Sequence, residues 1–102
     1  MNAVYSYEMG YTEAEFDKTL TGDFSGESSV YNCTVTGSRQ WCISHLDAPL
    51  DILISIKQSP ARQLGAMSLP VLQVKFTVKD TAEPLVEEFF DKFFKYFHKG
   101  GG

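Results

Sequence analysis

The stretch Leu72-Gln73-Val74-Lys75-Phe76-Thr77-Val78-Lys79 alternates apolar and polar residues without a break. A few residues later the period changes, and Val86, Phe89, Phe90, Phe93, Phe94 and Phe97 recur at helical spacing. Period 2 sends one set of side chains to one face of a strand, and period 3.6 gathers the other set into a stripe along a helix. Neither surface is complete alone. The two lie a turn apart, so the helix is expected to cover the sheet to which the strand belongs.

The remaining segments fill in that sheet. Ala3 to Met9 reads as a short strand with Tyr5 and Tyr7 on one face and Val4 and Ser6 on the other. Thr12-x-x-Glu15 is a capping box, and Tyr11 and Phe16 stand at the spacing of a hydrophobic staple. A helix from Glu13 to about Thr21 should follow, presenting Phe16 and Leu20, with Gly22 as its stop. Asp23 to Ser28 reads as a polar loop. Ser29–Thr36 and Arg39–Leu46 read as strands joined at Gly37-Ser38, where the leading glycine suits a type II′ turn. Leu50–Gln58 is a further strand with Leu50, Ile52, Ile54 and Ile56 on one face. Ser59 to Pro70 holds Pro60, Gly65 and Pro70 and reads as a long loop, the kind that is often functional. Val71–Lys79 is the last strand. The final helix should begin near Thr81 to Pro84, because proline fits only the first helical turn.

The order β-α-β-β-β-β-α predicts an α+β fold of two layers. Strands joined by short connections pair as an antiparallel meander, so a sheet of four or five strands is expected, with the long C-terminal helix across one face. A chain of 102 residues suits a single domain spanning 1–102. At that length roughly two-thirds of the unfolded surface can be buried, so disulfides and metals are not needed for stability.

Charge removes some function classes. Lys plus Arg is 9 and Asp plus Glu is 13, a net of −4. That disfavours non-specific nucleic-acid binding and docking on anionic lipid, yet leaves room for one small basic pocket. Nothing approaches the apolar length needed to span a membrane, and the first residues lack the pattern of a secretory signal, so a cytoplasmic location with reduced thiols is expected.

Several residues invite a chemical reading. With a two-residue loop at Gly37-Ser38, paired positions sum to 75, and Cys33 would face Cys42 in a strained, reducible cross-strand pair. The same thiols can instead pack as small hydrophobes. Gly101 and Gly102 form the kind of slender end that a carrier protein offers to an activating enzyme, and Gly100 equally suits a helix C-cap. His45 and His98 do not stand at metal-ligand spacing with the cysteines, so no metal and no cofactor are expected. His45 with Asp47 has the makings of an oriented base, but no nucleophile goes with it. The Ser59–Pro70 segment supplies Arg62, Gln63 and Met67, with Leu64 and Leu69 as its apolar content. With Lys57, Arg39 and Trp41 nearby it suggests a small anion or partner site gating a groove between helix and sheet. In the same register Trp41 and Ile43 share a face with Thr34 and Asn32, so the second sheet face is expected to be partly apolar. Such a face fits a partner surface or sheet stacking in a homodimer.

The expected function is a small non-catalytic binding or interaction module for a protein partner or a small apolar ligand. The alternatives are a carrier working through Gly102 and a redox switch working through Cys33 and Cys42.

Overall fold

A computed structural model of the chain describes residues 1–25 and 29–97. The elements run β1 (Ala3–Met9), α1 (Glu13–Phe24), β2 (Tyr31–Gly37), β3 (Gln40–His45), β4 (Asp51–Leu64), β5 (Met67–Lys79) and α2 (Glu83–Tyr96). The five strands form one antiparallel sheet in the order β1-β5-β4-β3-β2. Strands β2 to β5 are the expected meander. Strand β1 returns to the far edge, pairing from Ala3 opposite Val78 to Met9 opposite Leu72.

Both helices lie on one face of this sheet. Helix α1 opens with the expected capping box: Thr12 Oγ1 accepts from the Glu15 amide at 3.1 Å, and Glu15 Oε1 accepts from the Thr12 amide at 3.0 Å. It runs through Gly22 to Phe24 instead of stopping there. A glycine inside a helix costs about 1 kcal/mol. Burial of Phe24, on the same stripe as Phe16 and Leu20, offsets that cost by about 1.5–3 kcal/mol. Helix α2 starts after Ala82 with Pro84 in its first turn and buries Val86, Phe89 and Phe93.

The core is dominated by ring contacts. Phe76 of β5 meets Phe93 at 4.9 Å and Phe90 at 5.0 Å between centroids, both edge-on. Phe93 stacks on Phe97 at 4.2 Å, and Phe16 of α1 reaches Phe97 at 5.0 Å. Tyr5 and Tyr7 of β1 close one side against Phe90 and Phe94. Phe24 and Phe89 close the other against Tyr31 of β2. Each edge-to-face pair adds about 0.5–1.5 kcal/mol beyond its buried area. These rings occupy the space between α2 and the sheet, where a groove was expected.

Two connections differ from expectation. The segment from Ser59 to Pro70 is a hairpin rather than a loop: β4 and β5 continue to pair out to Leu64 opposite Met67. Their register shifts by one residue between Ser59 and Arg62, so the missing amide of Pro60 falls where the ladder is interrupted. Gly65 then makes the tight turn with φ +61°, the value that the first central position of a type II′ turn demands.

The β2–β3 hairpin is displaced too. Its turn is at Ser38 and Arg39, Arg39 has φ 60°, and Thr36 is an extra residue on β2. Pairs above that bulge sum to 76, so Cys33 faces Ile43 and Cys42 faces Thr34. A slip of one residue exchanges the faces of a strand. Here it brings Trp41 and Ile43 together with Tyr31 and Cys33 on the helix-covered side. Those four side chains are the apolar ones, and burying them together selects this register.

Candidate interaction surfaces

Placed on this fold, the candidate residues separate into three regions. Trp41 lies on the inner face of β3, only 5 % exposed, with its ring 5.5 Å from Phe16. Its Nε1 donates to Asp17 Oδ1 of α1 at 3.2 Å. Beside it a cavity of about 380 Å³ opens between α1 and the β2–β3 turn, with Val35, Trp41 and Ile56 as its apolar lining and Glu13, Asp17 and Arg39 as its polar one. Arg39 Nε stands 2.7 Å from Glu13 Oε1. The left-handed backbone at Arg39 thus coincides with an ion pair that ties the turn to α1.

Arg62, Gln63 and Met67 are far from Trp41 along the sheet. They stand on the distal part of the β4–β5 hairpin, a ribbon whose residues from Gln58 to Met67 are mostly exposed. The ribbon is braced at its root: Arg62 Nη2 donates to Glu8 Oε1 of β1 at 2.5 Å, and Gln73 Nε2 donates to Glu8 Oε2 at 3.1 Å. Gln63 Nε2 donates across the ribbon to Ser68 Oγ at 3.2 Å. At the tip, Leu64 and Met67 face each other across the turn and are 54 % and 62 % exposed. Leu69 is half-buried, and Leu64 is not tucked into the core.

Lys57 belongs to the third region, the outer face of the sheet. Both helices are on the other side. Cross-strand neighbours on this outer face form a row from Val4 through Thr77 and Leu53 to Cys42 and Thr34. Val4 is 59 % exposed, and Thr77, Leu53 and Cys42 are partly exposed. A parallel row carries Ser6, Lys75, Ser55 and Gln40. The outer face is therefore partly apolar, although its residues are not the ones the expected register placed there.

The thiols do not form the expected facing pair. Cys33 looks into the helix-covered layer and Cys42 outward, and both are free. Burial raises the Cys33 pKa to about 11, with help from the charges of Asp17 and Cys42. The Cys42 pKa is also raised, first by burial and then by Asp51, whose Oδ1 accepts from the thiol at 3.5 Å. A thiolate is the reactive form, so both shifts oppose redox exchange. Burial, with a smaller push from Glu88, likewise takes Tyr31 to about 12. Its hydroxyl has no hydrogen-bond partner among the described residues, while the Lys92 ammonium sits 5.3 Å from the ring centroid.

His45 Nδ1 accepts from the Asp47 amide at 3.0 Å, so the backbone of Asp47 rather than its carboxylate orients the ring. Among the described residues no cluster of three His, Cys, Asp or Glu side chains is arranged to hold a metal. Gly26 in the α1–β2 connection, His98, Gly100 and the Gly101-Gly102 end fall outside the described residues. No described helix is long and apolar enough to cross a membrane. Comparisons with protein-family models, curated proteins and solved structures found no match.

Sequence reasoning overlooked Glu8, Asp17, Leu53 and Lys75. Each gains its place from a partner distant in sequence, and the period-2 pattern of β1 and β5 says which face a residue takes but not which residue lies beside it.

Proposed function

We propose that this chain is a non-catalytic interaction module that engages a protein partner through the tip of the β4–β5 ribbon and the adjoining outer face of the sheet. The observation that carries the reading is the ribbon itself. A two-stranded hairpin without a packed face is marginal in water. This one extends past the rest of the sheet and ends in an exposed Leu64–Met67 pair. Exposed apolar groups at the end of a projecting arm suit insertion into a partner's surface, with Gln63 and Ser68 beside them as the polar rim. The ion pair of Arg62 with Glu8 holds the arm's root against β1 and limits the entropy lost on docking.

The test is photocrosslinking in the native cells. A crosslinking residue at Met67 should give one discrete adduct, and the same residue at Glu87, on the exposed side of α2, should not. Adding Leu64→Asp should remove the adduct while the melting temperature stays unchanged. Identical adduct patterns at the two positions, or an adduct indifferent to Leu64→Asp, would overturn the proposal.

A further inference from the structure

The outer face carries a second feature, independent of the ribbon tip. We infer that Lys57 and Lys75, with the hydroxyls of Ser6 and Ser55, form a binding site for a phosphomonoester dianion on the open face of the sheet.

The register assembles the site. Lys75 of β5 lies between Ser6 of β1 and Ser55 of β4, a serine on either side. Lys57 stands two residues beyond Ser55 on β4 and opposite Gln73. It is therefore the diagonal neighbour of Lys75 on the same face, a spacing of about 7–8 Å between backbones. Two flexible ammonium stems at that spacing can converge on one tetrahedral anion. These residues line a cavity of about 270 Å³ whose lining contains no carboxylate. The volume suits a phosphate group with a small substituent.

The charges are also uncommitted. In a chain of net charge −4, neither Lys57 nor Lys75 has an ion-pair partner among the described residues. The carboxylate closest in the pairing scheme, Glu8, is already engaged by Arg62 and by the amide nitrogen of Gln73. Two like charges side by side on a sheet repel each other, and a dianion between them reverses the sign of that interaction. Lysine serves phosphate as a point charge, and serine hydroxyls donate to the remaining oxygens. The dianion is favoured over a carboxylate or a sulfate monoester, each of which carries a single charge, because two cations face it.

Titration of the isotopically labelled protein with phenyl phosphate at low ionic strength tests the site by amide chemical shifts. Shifts should concentrate at Ser6, Ser55, Lys57 and Gln73–Lys75, with a dissociation constant on the order of 1 mM. Lys57→Gln combined with Lys75→Gln should weaken binding about tenfold without altering the melting temperature, because both side chains are exposed. Binding should also weaken as pH falls through about 6, where the phosphate takes up its second proton. The same dianion occurs on small metabolites and on phosphorylated side chains. A phosphoserine peptide run in parallel separates the two: tighter binding of the peptide assigns the site to a modified protein, and equal or weaker binding assigns it to a small ligand. Shifts spread equally over Lys18, Lys92 and Lys95, equal affinity for phenyl sulfate, or a double variant that binds like the parent would each overturn the inference. The readout uses the isolated protein and a small probe, so its failure leaves the ribbon-tip reading standing, and the reverse.

Discussion

The two faces of this sheet use the same strands and have opposite fates. Along β4, Ile52, Ile54 and Ile56 enter a layer sealed by α1 and α2, while Leu53, Ser55 and Lys57 between them face outward, away from both described helices. Backbone pairing is common to both faces, so it cannot account for the difference. Stability resides in the aromatic layer on the inner side, and the outer side contributes partly exposed residues that the core does not need. The lesson is that alternation in a strand identifies two faces but does not say that the second is inert.

The largest effect should come from the sealed face. Phe93 is fully buried and touches Phe16, Phe76 and Phe97. Phe93→Ala should therefore cost about 3–5 kcal/mol in chemical denaturation. Phe90, one residue from Phe89 on the same helix, is only half-buried although it meets Tyr5 and Phe76 at 5.0 Å. Phe90→Ala should cost clearly less. Equal losses would mean that the layer is sealed farther toward β1 than the packing indicates.

That pair of phenylalanines also marks what was legible in the sequence. Six apolar residues at helical spacing announced α2, and the alternation of β5 announced the face it covers, because both signals are local and periodic. Strand β1 and the capping box of α1 were legible for the same reason. The hairpins were harder. Gly37-Ser38 carried the stronger turn signal, yet the bulge at Thr36 moved the turn by one residue so that Trp41 and Ile43 could be buried. At Pro60 the proline looked like a strand breaker, but an interrupted ladder has no use for its missing amide. Consequently Trp41 stands out in the sequence while its partner Asp17 does not, and Lys57 stands out without Lys75. Register is a long-range property, and a site built across strands inherits that.

A smaller effect, on the same two faces, is expected from the cysteines. In the unfolded chain a thiol ionises near its ordinary value of 9.0, whereas folded Cys33 holds its proton to about 11. Between those values the unfolded state binds fewer protons, so stability falls as pH rises from about 9 to about 11. Cys33→Ala should flatten that part of the curve. The further decline that Tyr31 imposes between 10.0 and about 12 should remain. Cys42, on the outer face and next to Asp51, is raised as well, and Cys42→Ala gives the matched comparison. Denaturation midpoints measured across this range check the assignment; an unchanged slope in Cys33→Ala would show that burial does not hold its proton.

The smallest effect is expected where the outer face is most apolar. Leu53 is flanked by Thr77 on β5 and Cys42 on β3, is partly exposed, and lies on the face away from both described helices. In the isolated protein Leu53→Ser should change stability by about 1 kcal/mol or less, against about 2–5 kcal/mol for Ile54→Ala one residue away on the covered face. Melting should be run at two protein concentrations. If Leu53→Ser proves as costly as Ile54→Ala, and the cost grows with concentration, the outer face is covered by a second copy and folding is linked to association. A small loss at both concentrations leaves Leu53 free in the monomer. Its apolar row would then be available to a different partner, and the contrast between the two faces would be a property of the single chain.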